Sequence, residues 1–264
     1  MIREARVAAI DAFLADYTKI RLAEGRGSDD PSFYRNLPEC PPNHPTAWQW
    51  SVRRHTFDCL RSRVLPMLEA HRQVLDLGAG TGWLSNQLAL LEHEPCAVDL
   101  SCDEYDGLAA ARHFQTVFPR IQAEFDALPF ADGSVDAVIF NASLHYSIDY
   151  STTLSEALRT LTPGGALIVL ETPVYRREES GRRMVEERHE MFRKRFGTRS
   201  DSMPSREYLT WPQTAALGRE LNLDWKVIRP WYGWKWAMRP WVARIKRKRE
   251  PSRFPILLAF KQRV

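Results

Sequence analysis

The segment VLDLGAGTGWLS (74–85) sets glycines at 78, 80 and 82 behind an acid, Asp76. An apolar run ends at Leu77 and a helical pattern starts near Gly82, so the glycines form a strand-to-helix turn. A turn without Cβ atoms lets backbone approach a ligand closely. In open α/β sheets such turns sit at the carboxyl ends of the strands, where ligands bind. A second acid, Asp99, closes the next apolar run ~20 residues on, where a carboxylate can accept both hydroxyls of a ribose. A third, Asp126, lies in AEFDALPFADGSVDAVIF (123–140), just after a further short run. NASLHYS (141–147) then leaves the following strand. There Asn141 can hydrogen-bond a cofactor. His145 can act as a general base, because an unperturbed imidazole, with a pKa of ~6.5, is largely neutral at pH 7. Tyr146 and Tyr150 are alternatives to it. Each residue also has a plain reading: a structural turn for the glycines, solvated acids, a packing role for His145.

Spacing narrows the ligand. The dinucleotide fingerprint is GxGxxG, and a phosphate loop needs GxxxxGK[ST]. The run here is GxGxG, GAGTG, and no phosphate-loop motif is present. This turn resembles motif I of the class I S-adenosylmethionine-dependent methyltransferases, of the small-molecule, type-11-like branch. The ordered set of turn, Asp99, Asp126 and LTPGGALIVLE (161–171) resembles that family over residues 73–171. The resemblance implies that Asp76, Gly78, Ala79, Gly80 and Gly82 surround the methionine part of the cofactor. Asp99 would hold the ribose, Asp126 and Ala127 the adenine, and Leu100 and Asn141 would also contact the cofactor. No metal is expected, because the cysteines show no CxxC and no His partner at metal-ligand spacing. The sequence lacks the Asn-Pro-Pro-aromatic run of enzymes that methylate adenine amino groups in DNA, and a cysteine pair suited to covalent cytosine chemistry.

The surrounding pattern supplies the elements that must hold these residues. Short apolar runs (73–77, 95–100, about 120–125, 135–140, 166–171) alternate with helical stretches (83–91, about 103–118, about 151–161) around a Pro-Gly-Gly turn at 163–165. Such alternation predicts a parallel sheet covered on both faces. A helix at about 212–221, a strand at about 224–229 and a last strand in 254–260 complete it. The expected fold is a doubly wound, Rossmann-like α/β domain with a mostly parallel seven-stranded sheet, its last strands antiparallel in the family pattern. Residues 1–70 form an N-terminal helical cover, with helices at about 2–23 and 46–70, the second interrupted near Pro66. Residues 71–264 form the cofactor-binding domain, with a lid insertion at 173–215, helical over much of 175–200, and a Trp/basic insertion at 230–252. Tyr17, Phe33, Tyr34, Trp48 and Trp50 are candidate aromatic walls for an acceptor, or simple helix packing.

Composition bounds the remainder. Hydrophobic residues at 44% and charged residues at 27% describe a folded globular chain. Cysteines 40, 59, 96 and 102 lack metal-ligand spacing and suit a reducing cytoplasm, so the expected location is cytoplasmic, with a peripheral membrane contact as an option. Residues 225–264 carry twelve Lys/Arg against one acid, Glu250, in a chain of net charge +4, so the body is acidic and the tail basic. WKVIRPWYGWKWAMRPWVARIKRKRE (225–250) holds five of the nine tryptophans. Interleaved Trp and Lys/Arg suit a membrane surface or a lipid-linked substrate through 231–250, with nucleic acid ranked behind and a solvated hairpin as the bland alternative. The function expected is methyl transfer to a small-molecule or lipid- or glycan-linked acceptor. The rivals are an NAD(P)-dependent oxidoreductase and a non-catalytic cofactor-binding scaffold.

Overall fold

A computed structural model describes residues 2–68 and 73–263. In chain order the elements are α1 (Val7–Ala23), α2 (Pro31–Asn36), α3 (Ala47–Arg63), β1 (Gln73–Leu77), α4 (Trp83–Leu90), β2 (Glu94–Asp99) and β3 (Arg120–Gln122). They continue as β4 (Val135–Asn141), α5 (Tyr150–Thr160), β5 (Leu161–Leu170), β6 (Val174–Tyr175), α6 (Glu178–Phe196), β7 (Leu209–Thr210) and α7 (Trp211–Glu220). Last come β8 (Lys226–Ile228), α8 (Trp234–Ala237), α9 (Arg239–Ile245) and β9 (Ile256–Phe260).

Seven strands form one sheet in the order β3-β2-β1-β4-β5-β9-β8. The first five run parallel, as continuous apolar strands buried on both faces should. Strand β9 is antiparallel to both its neighbours, β5 and β8. Strand β8 therefore points the same way as β1–β5, and the expectation of several antiparallel last strands reduces to β9 alone. Successive side chains on a strand face opposite ways, which divides the core in two. Val74, Ala137, Ile139 and Ile168 pack under α2, α3 and α4, against Phe33, Tyr34, Trp50, Leu60 and Leu84. Leu75, Leu77, Val138, Phe140 and Val169 pack against Tyr150 and Leu154 of α5 and Leu217 of α7. Each large apolar side chain buried this way contributes ~1.5–3 kcal/mol, and α2, α3 and α4 all add to the same core.

Local signals explain most boundaries. Helix α5 starts where the Asp149 carboxylate accepts the Thr152 N–H at 2.8 Å, and α7 starts at a capping box between Thr210 and Gln213. Helix α3 stops at Arg63, and Pro66 lies in a separate 3₁₀ turn, Leu65–Met67. Residues 69–70 of the expected helix, and the expected boundary between cover and domain at 70/71, lie outside the described residues. The helix expected at 103–118 shrinks to a 3₁₀ turn, Leu108–His113. The Asp103 carboxylate captures the N–H groups of Tyr105 and Asp106, each at 2.8 Å, and side-chain capture of this kind competes with helix. The Pro-Gly-Gly stretch is not a free turn but the irregular start of β5, with a register shift opposite Val135/Ala137.

Candidate functional site

The carboxyl ends of β1, β2 and β4 open into one cleft, covered by α1 and flanked by α3. Its floor is the glycine turn. The N–H groups of Gly78 and Ala79 both donate to Val98 O, at 2.7 and 3.1 Å, which ties the turn to β2. Gly78 has φ +75°, and a Cβ there would lie 2.2 Å from the Ser143 Cβ. From the sequence, the conflict that a Cβ would cause is expected at a ligand. At Gly78 the conflict is with the protein, because the loop after β4 crosses the turn and the Ser143 hydroxyl donates to Leu77 O at 2.5 Å. Gly80 differs. It has φ +54°, and its Cβ would meet nothing closer than the Asp106 carbonyl oxygen at 3.7 Å, so that side is open to the cleft.

Gly78, Ala79, Gly80, Asp99, Leu100, Asp126 and Asn141 all line the cleft, as expected together. The Asp99 carboxylate accepts Gly80 N–H on Oδ2 and Ser101 N–H on Oδ1, each at 2.8 Å. A carboxylate has about four lone-pair sites, so each oxygen keeps one for a further donor. Burial pushes the Asp99 pKa up, and the backbone donors oppose that shift.

Four expected residues stand elsewhere. Asp76 is fully buried behind the turn, where the Ser85 hydroxyl donates to Oδ2 at 2.8 Å. Burial raises its pKa to about 7. It braces the start of α4 and does not line the cleft. Gly82 caps α4 and faces the Phe118 ring. Ala127 lies off the cleft wall. His145 is half-buried with its ring 4.5 Å from that of Tyr146, and it is Tyr146 that reaches the cleft. Burial first, then the nearby Arg188 and Arg21, push the His145 pKa down to about 3. It is thus neutral at pH 7 but a weak proton acceptor. The alternative Tyr150 is buried and donates its hydroxyl to Tyr208 O at 2.9 Å, which occupies it structurally.

Two further groups reach the cleft through the fold. Glu124, two residues before Asp126, is buried on the cleft wall. Both acids are gripped by the N-terminal turn: Arg6 contacts Glu124 at 2.5 Å and Asp126 at 3.1 Å, and the Arg3 N–H donates to Glu124 at 2.7 Å. The Glu-Phe-Asp spacing was a usable signal for a second acid. Nothing local to residues 3–6 indicated where they dock, because those contacts span about 120 positions.

The second group is on α1. Phe13, Tyr17 and Arg21, four residues apart, share a helix face turned to the cleft. Arg21 lies 4.3 Å over the Tyr17 ring and donates to the Tyr146 hydroxyl at 2.8 Å. Burial raises the Tyr17 pKa and keeps that phenol protonated. Of the expected aromatic walls, Tyr17 and Trp50 line the cleft, Phe33 and Tyr34 are core, and Trp48 is solvent-exposed. The expected lid contributes Met203 to the cleft through the segment between α6 and β7.

The sheet, six strands parallel and β9 reversed, carries a glycine turn after β1, Asp99 at the end of β2 and Asp126 shortly after β3, an arrangement similar to that of the class I S-adenosylmethionine-dependent methyltransferases. Residues 75–169 match the family model described as a methyltransferase domain. The chain is 37% identical over 116 residues to a demethylmenaquinone methyltransferase of Thermus thermophilus, covering 41% of this chain and 51% of that protein. It is 35% identical over 99 residues to a malonyl-[acyl-carrier protein] O-methyltransferase of Hahella chejuensis, covering 37% and 35%. The chain thus spans about half, or less, of the length of these curated relatives. The solved S-adenosylmethionine-dependent methyltransferase of Mesorhizobium loti shares the fold, with a TM-score of 0.54 at 19% identity over 78% of this chain and 98% of that one.

The residues present fit the family's cofactor. Gly80 leaves open space, Asp99 keeps free lone pairs for a diol, and Glu124 and Asp126 offer acceptors at one end of the cleft. Among the described residues no cluster of His, Cys, Asp and Glu could hold a metal.

Proposed function

We propose that the chain transfers a methyl group from S-adenosylmethionine to a small-molecule acceptor. The observation that carries the reading is the junction of Gly80 and Asp99: an open backbone and a carboxylate, 2.8 Å apart, at the ends of adjacent strands. The cofactor would supply an activated methyl on a sulfonium. The chain's own residues position the partners and exclude water, which is most of what such a displacement requires. Asp99 would take the ribose hydroxyls, and Glu124 and Asp126, held by Arg6, would take the adenine amino group. Asn141 and the backbone of 78–80 would border the methionine portion. Tyr146, fixed by Arg21, and the α1 face of Phe13 and Tyr17 would wall the acceptor side. No base at the acceptor is required by this reading, and His145 would act by packing behind Tyr146. The relatives named for demethylmenaquinone and for malonyl-[acyl-carrier protein] support an acceptor that is itself lipid-linked or carrier-linked.

The reversed β9 speaks against the oxidoreductase alternative, whose usual sheet runs parallel throughout in the order 3-2-1-4-5-6. Calorimetric titration with S-adenosylhomocysteine and with NADH tests the proposal. Binding of S-adenosylhomocysteine alone is expected, weakened by Asp99→Ala at least tenfold, since a hydrogen bond to a charged group is worth about 1.5–3 kcal/mol. Binding of NADH alone would overturn the reading. Binding of S-adenosylhomocysteine without methyl transfer to a quinol, a carboxylate or an amine panel would favour the scaffold.

A further inference from the structure

Helices α8 and α9 form a nearly continuous helical run joined at Met238, with Met238 N–H donating to Trp234 O and Val242 N–H to Met238 O. The run is amphipathic, but its apolar stripe faces outward. Trp234, Met238, Trp241, Val242 and Ile245 recur at helical spacing, and all are exposed; Trp234 is 77%, Trp241 65% and Ile245 80% accessible. A soluble helix normally turns such a stripe to the core. The run has no shortage of inward anchors. The Tyr232 hydroxyl pairs with Thr56 Oγ1 of α3 at 2.9 Å and donates to Phe254 O at 3.0 Å, and the Trp236 ring packs on Phe254. The five tryptophans of 225–250 are therefore divided: Trp225 and Trp236 pack inward, while Trp231, Trp234 and Trp241 project.

Beside the stripe lies a basic groove between α9 and α6. Lys235, Arg239, Lys246, Arg247 and Lys248 line it, opposed by Glu187, which Arg249 already pairs at 2.6 Å. Arg239 lies 3.7 Å over the Trp236 ring, which holds its guanidinium at the inner edge of the groove.

We propose that the face formed by α8, α9 and the basic run after them docks on an anionic lipid bilayer. The tryptophans and aliphatic side chains enter the headgroup and acyl boundary while the cations of the groove meet lipid phosphates. The aliphatic members decide against nucleic acid, where Met238, Val242 and Ile245 would have no hydrocarbon to enter. The charge decides against a second copy, since a two-fold contact would bring basic side chains against their own equivalents. Thr56, which receives the insertion, lies one turn from Arg53 on the cleft wall, so docking would bring the cleft close to a membrane-borne acceptor. The docking itself requires no catalysis.

The test is flotation of the full chain with vesicles of phosphatidylcholine alone or with about 30% phosphatidylglycerol, read together with tryptophan emission. Two triple variants accompany it, Trp234→Ser/Trp241→Ser/Ile245→Ser and Lys246→Glu/Arg247→Glu/Lys248→Glu, each checked for unchanged thermal melting. Expected are flotation with the anionic vesicles, a blue shift in emission, weakening by salt, and a loss of at least about tenfold in either variant, since each basic residue near such a surface counts for about 1 kcal/mol. Failure of the wild type to float, or flotation unchanged in both variants, would overturn the proposal. So would tighter binding to a single-stranded oligonucleotide that only the charge variant abolishes, or a dimer that only the apolar variant dissolves. None of these readouts uses the methyl donor, so they separate from failure of the proposed activity.

Discussion

Gly78 and Gly80 sit two residues apart in the same turn, both left-handed, yet the structure gives them different work. Alanine at 78 would meet the Ser143 Cβ at 2.2 Å, on a loop held down by the Ser143–Leu77 hydrogen bond. The left-handed conformation costs an alanine ~1–2 kcal/mol. Forcing the loop after β4 away adds ~1–3 kcal/mol, as for other overpacked sites. Gly78→Ala should therefore lower stability by about 2–5 kcal/mol. Alanine at 80 meets only a carbonyl oxygen at 3.7 Å and so carries the conformational cost alone. Its methyl would occupy the space next to Asp99 that the proposed cofactor needs. Urea unfolding of both variants and calorimetry with S-adenosylhomocysteine distinguish the two effects. At a slope of about 3 kcal/mol per molar urea, Gly78→Ala should move the midpoint down by roughly 1 M and Gly80→Ala by about half of that. Gly80→Ala should instead weaken S-adenosylhomocysteine at least tenfold, about 1.4 kcal/mol. Equal loss of stability in both, with wild-type affinity in Gly80→Ala, would refute the assignment of position 80 as the closest approach to the ligand.

Two further expectations follow from buried titratable groups. The His145 pKa lies at about 3 in the folded chain and ~6.5 when unfolded, so neutral imidazole is favoured by folding. Its contribution is fully present above the unfolded value and is lost as pH falls from 6.5 toward 3; stability should drop by up to about 1.4 kcal/mol per pH unit there. His145→Gln should flatten urea midpoints measured between pH 6.5 and 5, and an unchanged slope would place the titration elsewhere. Glu207, buried between Arg188 and the His189 Nε2 at 2.7 Å, anchors the segment after α6. Removing it in Glu207→Ala leaves two donors unpaired, at a cost of about 3 kcal/mol. Calorimetric melting should fall by about 10 °C; a shift within 2 °C, against a cost of that size, would mean that the pair is solvent-screened and structurally idle.

The amino-acid sequence by itself determined the strands of the main sheet and most of the helices between them, the glycine turn, and the acids at 99 and 126 just past apolar runs, because these are local: apolar runs of strand length, capping residues and glycines at set intervals. It also carried the Trp/basic character of 230–252 as composition. Its misreadings were local competitions. Asp103 captured backbone donors that a helix at 103–118 would have needed, and the Pro-Gly-Gly run was absorbed into β5. What only the tertiary structure decided is which side chains meet. Arg3 and Arg6 reach Glu124 and Asp126 across about 120 residues, and Arg21 reaches Tyr146 across 125. His145 and Tyr146 are neighbours in the chain, and the packing of α1 and α6 decides which of them meets the cleft. The outward turn of the Trp234–Ile245 stripe is likewise a tertiary outcome. A helical pattern specifies an apolar face, but only the anchoring of Tyr232 and Trp236 on α3 and Phe254 decides which way that face points.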